Sequence, residues 1–295
     1  MGNARITWVI AALLFQTVTS VDVNPFLVGG TPAVIGNFPS HVGINIGPSA
    51  FCGGTILSNN HILTSGSCVL DAQNNLIAAN QLSIRAGVIT IDATTPTVLI
   101  DRIFVHPHYN PFTFENDIAV IRTLTQLQFP VVAQPHIAPA ELALRIIPEN
   151  SVCQVAGWNW IQGVPSIALQ QLPVTIYGRA ACNVMFNGMI RDPMICATTA
   201  TTAQALCVPN RGGGLYCDGR LAGIASFGFG CAANATATVF TQVRYYDQWI
   251  QQQFTRSDNP PPGPTPMPGI GRGSSMFNLS MVAILFASLI IMLVR

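Results

Sequence analysis

From Leu27 to Phe254, short apolar runs alternate with Gly, Pro and Asn breaks. In His41-Val42-Gly43-Ile44-Asn45-Ile46 and Leu82-Ser83-Ile84-Arg85-Ala86-Gly87-Val88 large apolar residues return at every second position. Ile118-Ala119-Val120-Ile121 is a continuous apolar run. A period of two places alternate side chains on one face of a strand. Repeated between turn residues, the pattern predicts an all-β domain, a multi-stranded antiparallel barrel or sandwich. Helical spacing is confined to Arg244–Phe254, where Tyr246, Trp249, Ile250 and Phe254 share a face.

The two ends follow other rules. Arg5 precedes an apolar run from Trp8 to Phe15 and then Thr17-Val18-Thr19-Ser20. A basic residue, a short apolar segment and a small-residue exit predict a secretory signal peptide over residues 1–20. Residues 21–26 form a short pro-like segment before the main domain at 27–254. Residues 255–275, rich in Pro, Gly and Ser, predict a stalk without a core. Residues 276–295 are apolar apart from Asn278, Ser280, Ser288 and the final Arg295. The strictly apolar part from Met281 falls short of the roughly 20 residues that span a bilayer. No basic cluster follows it as a stop-transfer signal. Small residues at Gly273–Ser275 ahead of an apolar tail fit a glycosylphosphatidylinositol anchor signal, with a single transmembrane helix, or neither, as alternatives. The expected location is the extracellular face of the plasma membrane.

Composition narrows the function classes. Charged residues make up 8% of the 295-residue chain, far below the roughly 25% of ordinary domains. Its thirteen basic residues, all Arg, nearly balance twelve acidic ones, and they do not cluster. Phosphate neutralisation needs clustered cations, so nucleic acid is not an expected partner. An apolar content of 49% excludes a disordered chain. Eight cysteines in an oxidising compartment read as disulfides, without fixing their pairing. No His/Cys cluster has short metal-ligand spacing, so neither a metal nor another cofactor is expected. Asn234-Ala235-Thr236 is a glycosylation sequon, whereas Asn278-Leu279-Ser280 falls within the tail.

Several motifs occur in an order that points to one family. Leu27-Val28-Gly29-Gly30, Phe51-Cys52-Gly53-Gly54-Thr55-Ile56-Leu57, Asn116-Asp117-Ile118-Ala119-Val120, Cys153-Gln154-Val155-Ala156-Gly157-Trp158 and Ile224-Ala225-Ser226-Phe227-Gly228 follow one another. Together they resemble chymotrypsin- and trypsin-like serine proteases across nearly all of Leu27 to Phe254. The resemblance implies two packed six-stranded antiparallel β-barrels with a short C-terminal helix. It also implies the disulfides Cys52–Cys68, Cys153–Cys217, Cys182–Cys196 and Cys207–Cys231.

Proteolysis in this family needs a nucleophilic Ser, a His to take its proton, an Asp to hold that His, and N–H donors for the oxyanion. The His position, just before the second cysteine, holds Ser67 in Thr64-Ser65-Gly66-Ser67-Cys68. The nucleophile motif aligns without a gap on Cys207-Val208-Pro209-Asn210-Arg211-Gly212-Gly213-Gly214-Leu215-Tyr216-Cys217. Arg211 stands at the nucleophile position, and a guanidinium carries no reactive lone pair. Pro209 stands at the oxyanion-donor position and has no N–H. Asn210 replaces the Asp that pairs with the new terminus on activation, and Phe26 replaces the basic residue at the cleavage point. Of the triad only Asp117 is kept, and its bland role is to satisfy neighbouring N–H groups. The specificity-pocket positions align with Ala205, Ser226, Gly228 and Thr238, the Thr side chain narrowing the pocket. His61, His106 and His108 read as ordinary imidazoles, and His41 and His136 carry no distinctive context.

The expectation is a serine protease homologue without catalysis, tethered at the cell surface, that holds an extracellular protein or peptide. It would serve as a cofactor or decoy in a protease cascade or in immune recognition. The alternatives are a residual or rewired endopeptidase and a polyanion or bacterial-surface binder. The latter needs a dense cationic surface that this chain lacks. The sequence leaves the oligomeric state open.

Overall fold

The computed structural model describes residues 27–28, 30–47, 50–92, 94–130, 136–161, 164–199, 205–206, 211–228 and 237–256. The segments expected to be signal peptide, stalk and anchor lie outside these residues, as do Pro209, Asn210, Asn234 and the Cys207–Cys231 pair.

After β1 (Leu27–Val28) and β2 (Thr31–Pro32), the alternating runs wind into a closed antiparallel barrel. It comprises β3 (His41–Ile46), β4 (Ala50–Ile56), β5 (His61–Thr64), β6 (Leu82–Ala86), β7 (Val98–Val105) and β8 (Ala119–Thr123). Around the barrel the order is β3-β4-β5-β8-β7-β6, closed by the pairing of β3 with β6. Val42, Ile44, Ile56, Ile62, Ile84 and Ile121 fill its interior with no exposed surface. Each such side chain contributes about 1.5–3 kcal/mol on burial.

A second barrel follows from β9 (Val152–Ile161), β10 (Val164–Tyr177), β11 (Met194–Thr199), β13 (Gly214–Cys217), β14 (Arg220–Gly228) and β15 (Ala237–Gln242). Its order is β11-β15-β14-β13-β9-β10, and β10 pairs back onto β11 to close it. β12 (Ala205–Leu206) lies outside the barrel and pairs with β1, Val28 opposite Ala205. Val155, Leu172, Val174, Ala197, Leu215 and Phe240 fill the second core. The two six-stranded barrels expected from the motifs are therefore present.

A third apolar cluster joins the barrels: Leu63, Phe104 and Val120 from the first meet Leu221 and Ile224 from the second. The C-terminal helix α2 (Asp247–Phe254) adds Ile250 to this seam. Beyond the helix, Arg122 on β8 donates from Nη1 to the Arg256 carbonyl at 2.8 Å. The same guanidinium pairs with Asp101 on β7 at 2.6 Å. The last described residue is thus clasped to the first barrel.

One helix was not legible in the sequence. α1 (Arg179–Met185) contains only one buried residue, Cys182. A single inward position leaves no apolar stripe to read. Cys182 is bonded to Cys196 on β11, which fastens the helix to the second barrel. Cys52–Cys68 and Cys153–Cys217 are likewise bonded.

Buried between the barrels, His41 stacks on Trp158 with ring centroids 5.1 Å apart. Neither of its ring nitrogens has a hydrogen-bond partner among the described residues, and burial lowers its pKa to about 4.

Candidate functional site

The site lies where the loop before β8, the 3-10 turn Gly66–Cys68 and the segment before β13 converge. Asp117 enters it from a loop held by Asn116, whose backbone is left-handed at φ 56°. Asn116 donates from Nδ2 to the His108 carbonyl at 2.8 Å and accepts from the Tyr246 hydroxyl at 3.0 Å. The Asp117 main chain is fixed as well, its carbonyl accepting from Thr241 Oγ1 at 2.8 Å.

The Asp117 carboxylate has no exposed surface. Its Oδ1 accepts the Ser67 backbone N–H at 2.7 Å. Oδ2 accepts the Ser67 hydroxyl at 3.0 Å and the Ser226 hydroxyl at 2.5 Å. Burial raises the Asp117 pKa, opposed by the bonds from Ser226 and Ser67 and by the Arg211 charge. These donors all stabilise the ionised form.

Ser226 therefore serves Asp117, although the motif alignment assigned it to the specificity pocket. The cause is local: the β14–β15 register shifts between Ala225 and Phe227, leaving Ser226 at the irregularity. Such irregularities re-aim side chains. Of the other pocket positions, Gly228 and Thr238 face each other across the same ladder, with Thr238 buried. Ala205 is placed only by its backbone, opposite Val28.

Arg211 is positioned by its main chain. Its carbonyl accepts from the Gly53 N–H of β4 at 2.8 Å, tying it to the first barrel. The next residue, Gly212, donates to the Ala225 carbonyl at 2.8 Å, tying it to the second. Gly212 has φ 78°, and a Cβ there would collide with Thr64 Oγ1 and the Gly53 carbonyl. Only glycine lets the barrels approach this closely.

The Arg211 guanidinium lies over the Phe114 ring, 5.8 Å from its centroid. Phe114 stacks on Phe227 at 5.0 Å, and Phe227 meets Phe186 edge-on at 5.5 Å. The sequence reading passed over this aromatic series. Its signal was the pair of large aromatics in Pro111-Phe112-Thr113-Phe114, immediately ahead of the Asp117 motif.

The histidines do not converge on the site. His61 accepts or donates at Nδ1 with Ser58 Oγ at 2.9 Å and packs on Phe254. His106 packs against Tyr246 and Trp249 at 5.4 and 5.0 Å. Burial lowers both pKa values to about 4, helped by the Arg122 charge at His61 and by His108 at His106. Among the described residues no group of three or more His, Cys, Asp or Glu is placed to hold a metal ion.

A separate cavity of about 550 Å³, lined by Phe38, Ser40, Glu141, Gln154 and Tyr216, contains none of the aligned positions. Its polar groups are already engaged: the Tyr216 hydroxyl bonds Ser40 and Thr55, and Glu141 pairs with Arg220.

Chemically, the arrangement brings two hydroxyls, of Ser67 and Ser226, to one carboxylate, Asp117. Among the described residues, the imidazole that activates an alcohol nucleophile in the triad is not placed between them. The guanidinium offers charge but no nucleophile.

Comparison with known proteins places the chain among homologues. The family model for trypsin matches residues 27–250. Alkaline trypsin B of Manduca sexta is 31% identical over 84% of this chain and 98% of its own length. Trypsin of Sus scrofa is 28% identical over 78% of this chain and 96% of its own length. Among solved structures, the scabies mite inactivated protease paralogue S-D1 superposes with a TM-score of 0.69 at 24% identity. That alignment covers 79% of this chain and all of the other. Mouse neuropsin, a serine protease, superposes with a TM-score of 0.66 at 23% identity, over 77% of this chain and 99% of its own.

Proposed function

The chain belongs to the trypsin family of serine proteases, and from that premise we propose that it is a non-catalytic member, acting as an extracellular binding or regulatory protein tethered at the cell surface. One observation carries the reading: Ser67 occupies the base position and spends its hydroxyl as a donor to Asp117. An alcohol oxygen is far too weak a base to take a proton from a nucleophile near neutral pH. Arg211 at the nucleophile position removes the attacking atom, and loss of either group costs on the order of 10⁶ in turnover in a related triad enzyme. Pro209 at the oxyanion position removes a donor worth about 10²–10³ more. Loops on a rigid pair of barrels remain suited to recognition. The disulfides Cys52–Cys68, Cys153–Cys217 and Cys182–Cys196 fit an oxidising, extracellular setting.

The contact between Ser67 and Asp117 also supplies a pair from which a rewired hydrolase could be built. The full-length protein, purified under oxidising conditions, is incubated with a broad peptide library and a serine-reactive phosphonate. The expected result is neither cleavage nor labelling. Cleavage abolished by Ser67→Ala, or phosphonate attached at Ser67, overturns the proposal. Release of the protein from cells by a phosphatidylinositol-specific lipase tests the tether.

A further inference from the structure

We propose that the old cleft recognises a carboxylate presented by an extracellular polypeptide, with Arg211 as the anion contact and the loop carrying Phe112 and Phe114 as its apolar wall. The proposal deepens the non-catalytic reading and rests on it.

The other described arginines are ion-paired or hydrogen-bonded: Arg85 donates to the Asp92 carbonyl, Arg244 to the Tyr245 hydroxyl and Arg256 to Gln253 Oε1. Arg191 pairs with Glu115 at 3.1 Å, Arg122 with Asp101, Arg179 with Asp192 and Arg220 with Glu141. Among the described residues Arg211 has no ion-pair partner; its guanidinium is held by the Phe114 face. Asp117 acts on it electrostatically. That carboxylate is fixed by three hydrogen bonds and fully buried, so it does not swing out to neutralise the arginine. The result is a partly exposed guanidinium without an ion-pair partner among the described residues.

The aromatic series fixes where that charge sits. Phe114 adopts a left-handed backbone at φ 55°, a costly conformation for a bulky side chain. Contact with Phe227 on one side and Arg211 on the other offsets that cost. Phe114 and Phe227 touch, so no partner side chain lies between them. An occupant therefore meets the guanidinium from the open side. A planar guanidinium on a rigid aromatic platform matches the two oxygens of a carboxylate, a geometry lysine would not provide.

The surroundings select among anions. Two residues before Phe114, on the same loop, Phe112 is 70% exposed. A sulfated polysaccharide or an anionic membrane needs several cations together. One cation over an aromatic ring, on a loop with further exposed aromatic surface, suits a single carboxylate with an apolar neighbour. An acidic side chain and a chain terminus both present that group.

The test uses the full-length protein and four synthetic peptides of one sequence containing Phe next to the acidic position. They carry Glu or Gln at that position and a free-acid or amidated C-terminus. Binding is read by calorimetry, and peptide integrity by mass spectrometry afterwards. At least one carboxylate form is expected to bind ten-fold or more tighter than its amide, a difference lost in Arg211→Gln, whose cooperative thermal transition shows that it remains folded. Preference for Glu over Gln identifies a side-chain partner; preference for the free acid identifies a chain terminus. Phe112→Ser weakens all four peptides. Equal binding of acid and amide forms, or an undiminished preference in Arg211→Gln, overturns the proposal. Retention on heparin at high salt without a peptide preference overturns it in favour of a polyanion. Cleaved peptides would instead remove the non-catalytic reading, so the two failures are distinguishable.

Discussion

Ser67 and Asp117, fifty residues apart in sequence, are joined twice, by the Ser67 N–H to Oδ1 at 2.7 Å and by its hydroxyl to Oδ2 at 3.0 Å. With Ser226 on the same Oδ2, the carboxylate is an acceptor saturated by hydroxyls and a main-chain N–H. Its chemistry is structural: it fastens the turn before Cys68 to the loop before β8 and to β14.

Ser226→Ala removes a donor to a buried carboxylate. The expected loss is about 1.5–3 kcal/mol of folding stability, measured by urea denaturation. The substitution also raises the Asp117 pKa further, because that bond favours the ionised form. Unchanged stability would mean that the contact contributes nothing.

Restoring the two lost side chains is expected not to restore an enzyme. Ser67→His with Arg211→Ser still lacks the N–H at Pro209. Adding Pro209→Gly to that double variant is expected to raise ester hydrolysis by about 10²–10³, the usual worth of one oxyanion donor. Initial rates on a peptide ester for the double and triple variants give the comparison. Equal rates would show that the oxyanion position is not limiting.

The buried imidazoles predict acid sensitivity with a definite sign. His41, His61 and His106 have folded pKa values near 4, below the unfolded value of 6.5. Between these limits the unfolded chain binds the extra protons, so stability falls as pH drops from 6.5 to 4. His41 is fully buried and contributes the most, on the order of 3 kcal/mol across that window. His106 is only partly buried and contributes less. Asp117 works in the opposite direction, its raised pKa favouring the folded state at low pH. His41→Gln is expected to flatten the pH dependence of the denaturation midpoint; an unaltered slope would contradict the assignment.

Disulfide loss should scale with the loop each bond closes. Cys153–Cys217 spans 64 residues and Cys182–Cys196 spans 14. Loop entropy gives about 4 kcal/mol for the first and about 3 kcal/mol for the second. Paired Cys→Ala variants measured by denaturation test this order, and its reversal would mean that native packing outweighs chain entropy.

The fold was legible because its motifs are local. Phe51–Leu57, Asn116–Val120 and Cys153–Trp158 each carry their strand and its anchoring residue within a few positions. The candidate site was legible only as an inventory. Its contacts join Ser67 to Asp117, Ser226 to Asp117 and Phe114 to Phe227, each across tens of residues. Alignment places Ser226 at the specificity pocket but does not convey the register irregularity at which its hydroxyl meets Asp117. α1 escaped notice because a disulfide, not an amphipathic face, holds it down.

The clasp at Arg256 has a mechanical consequence. A pull on the chain beyond that residue is delivered through Arg122 to β8 and through Asp101 to β7, sideways across a hydrogen-bonded ladder. Sideways loading strains many bonds at once, whereas α2 alone would peel one turn at a time. Traction from the C-terminal side is thereby shared with the first barrel.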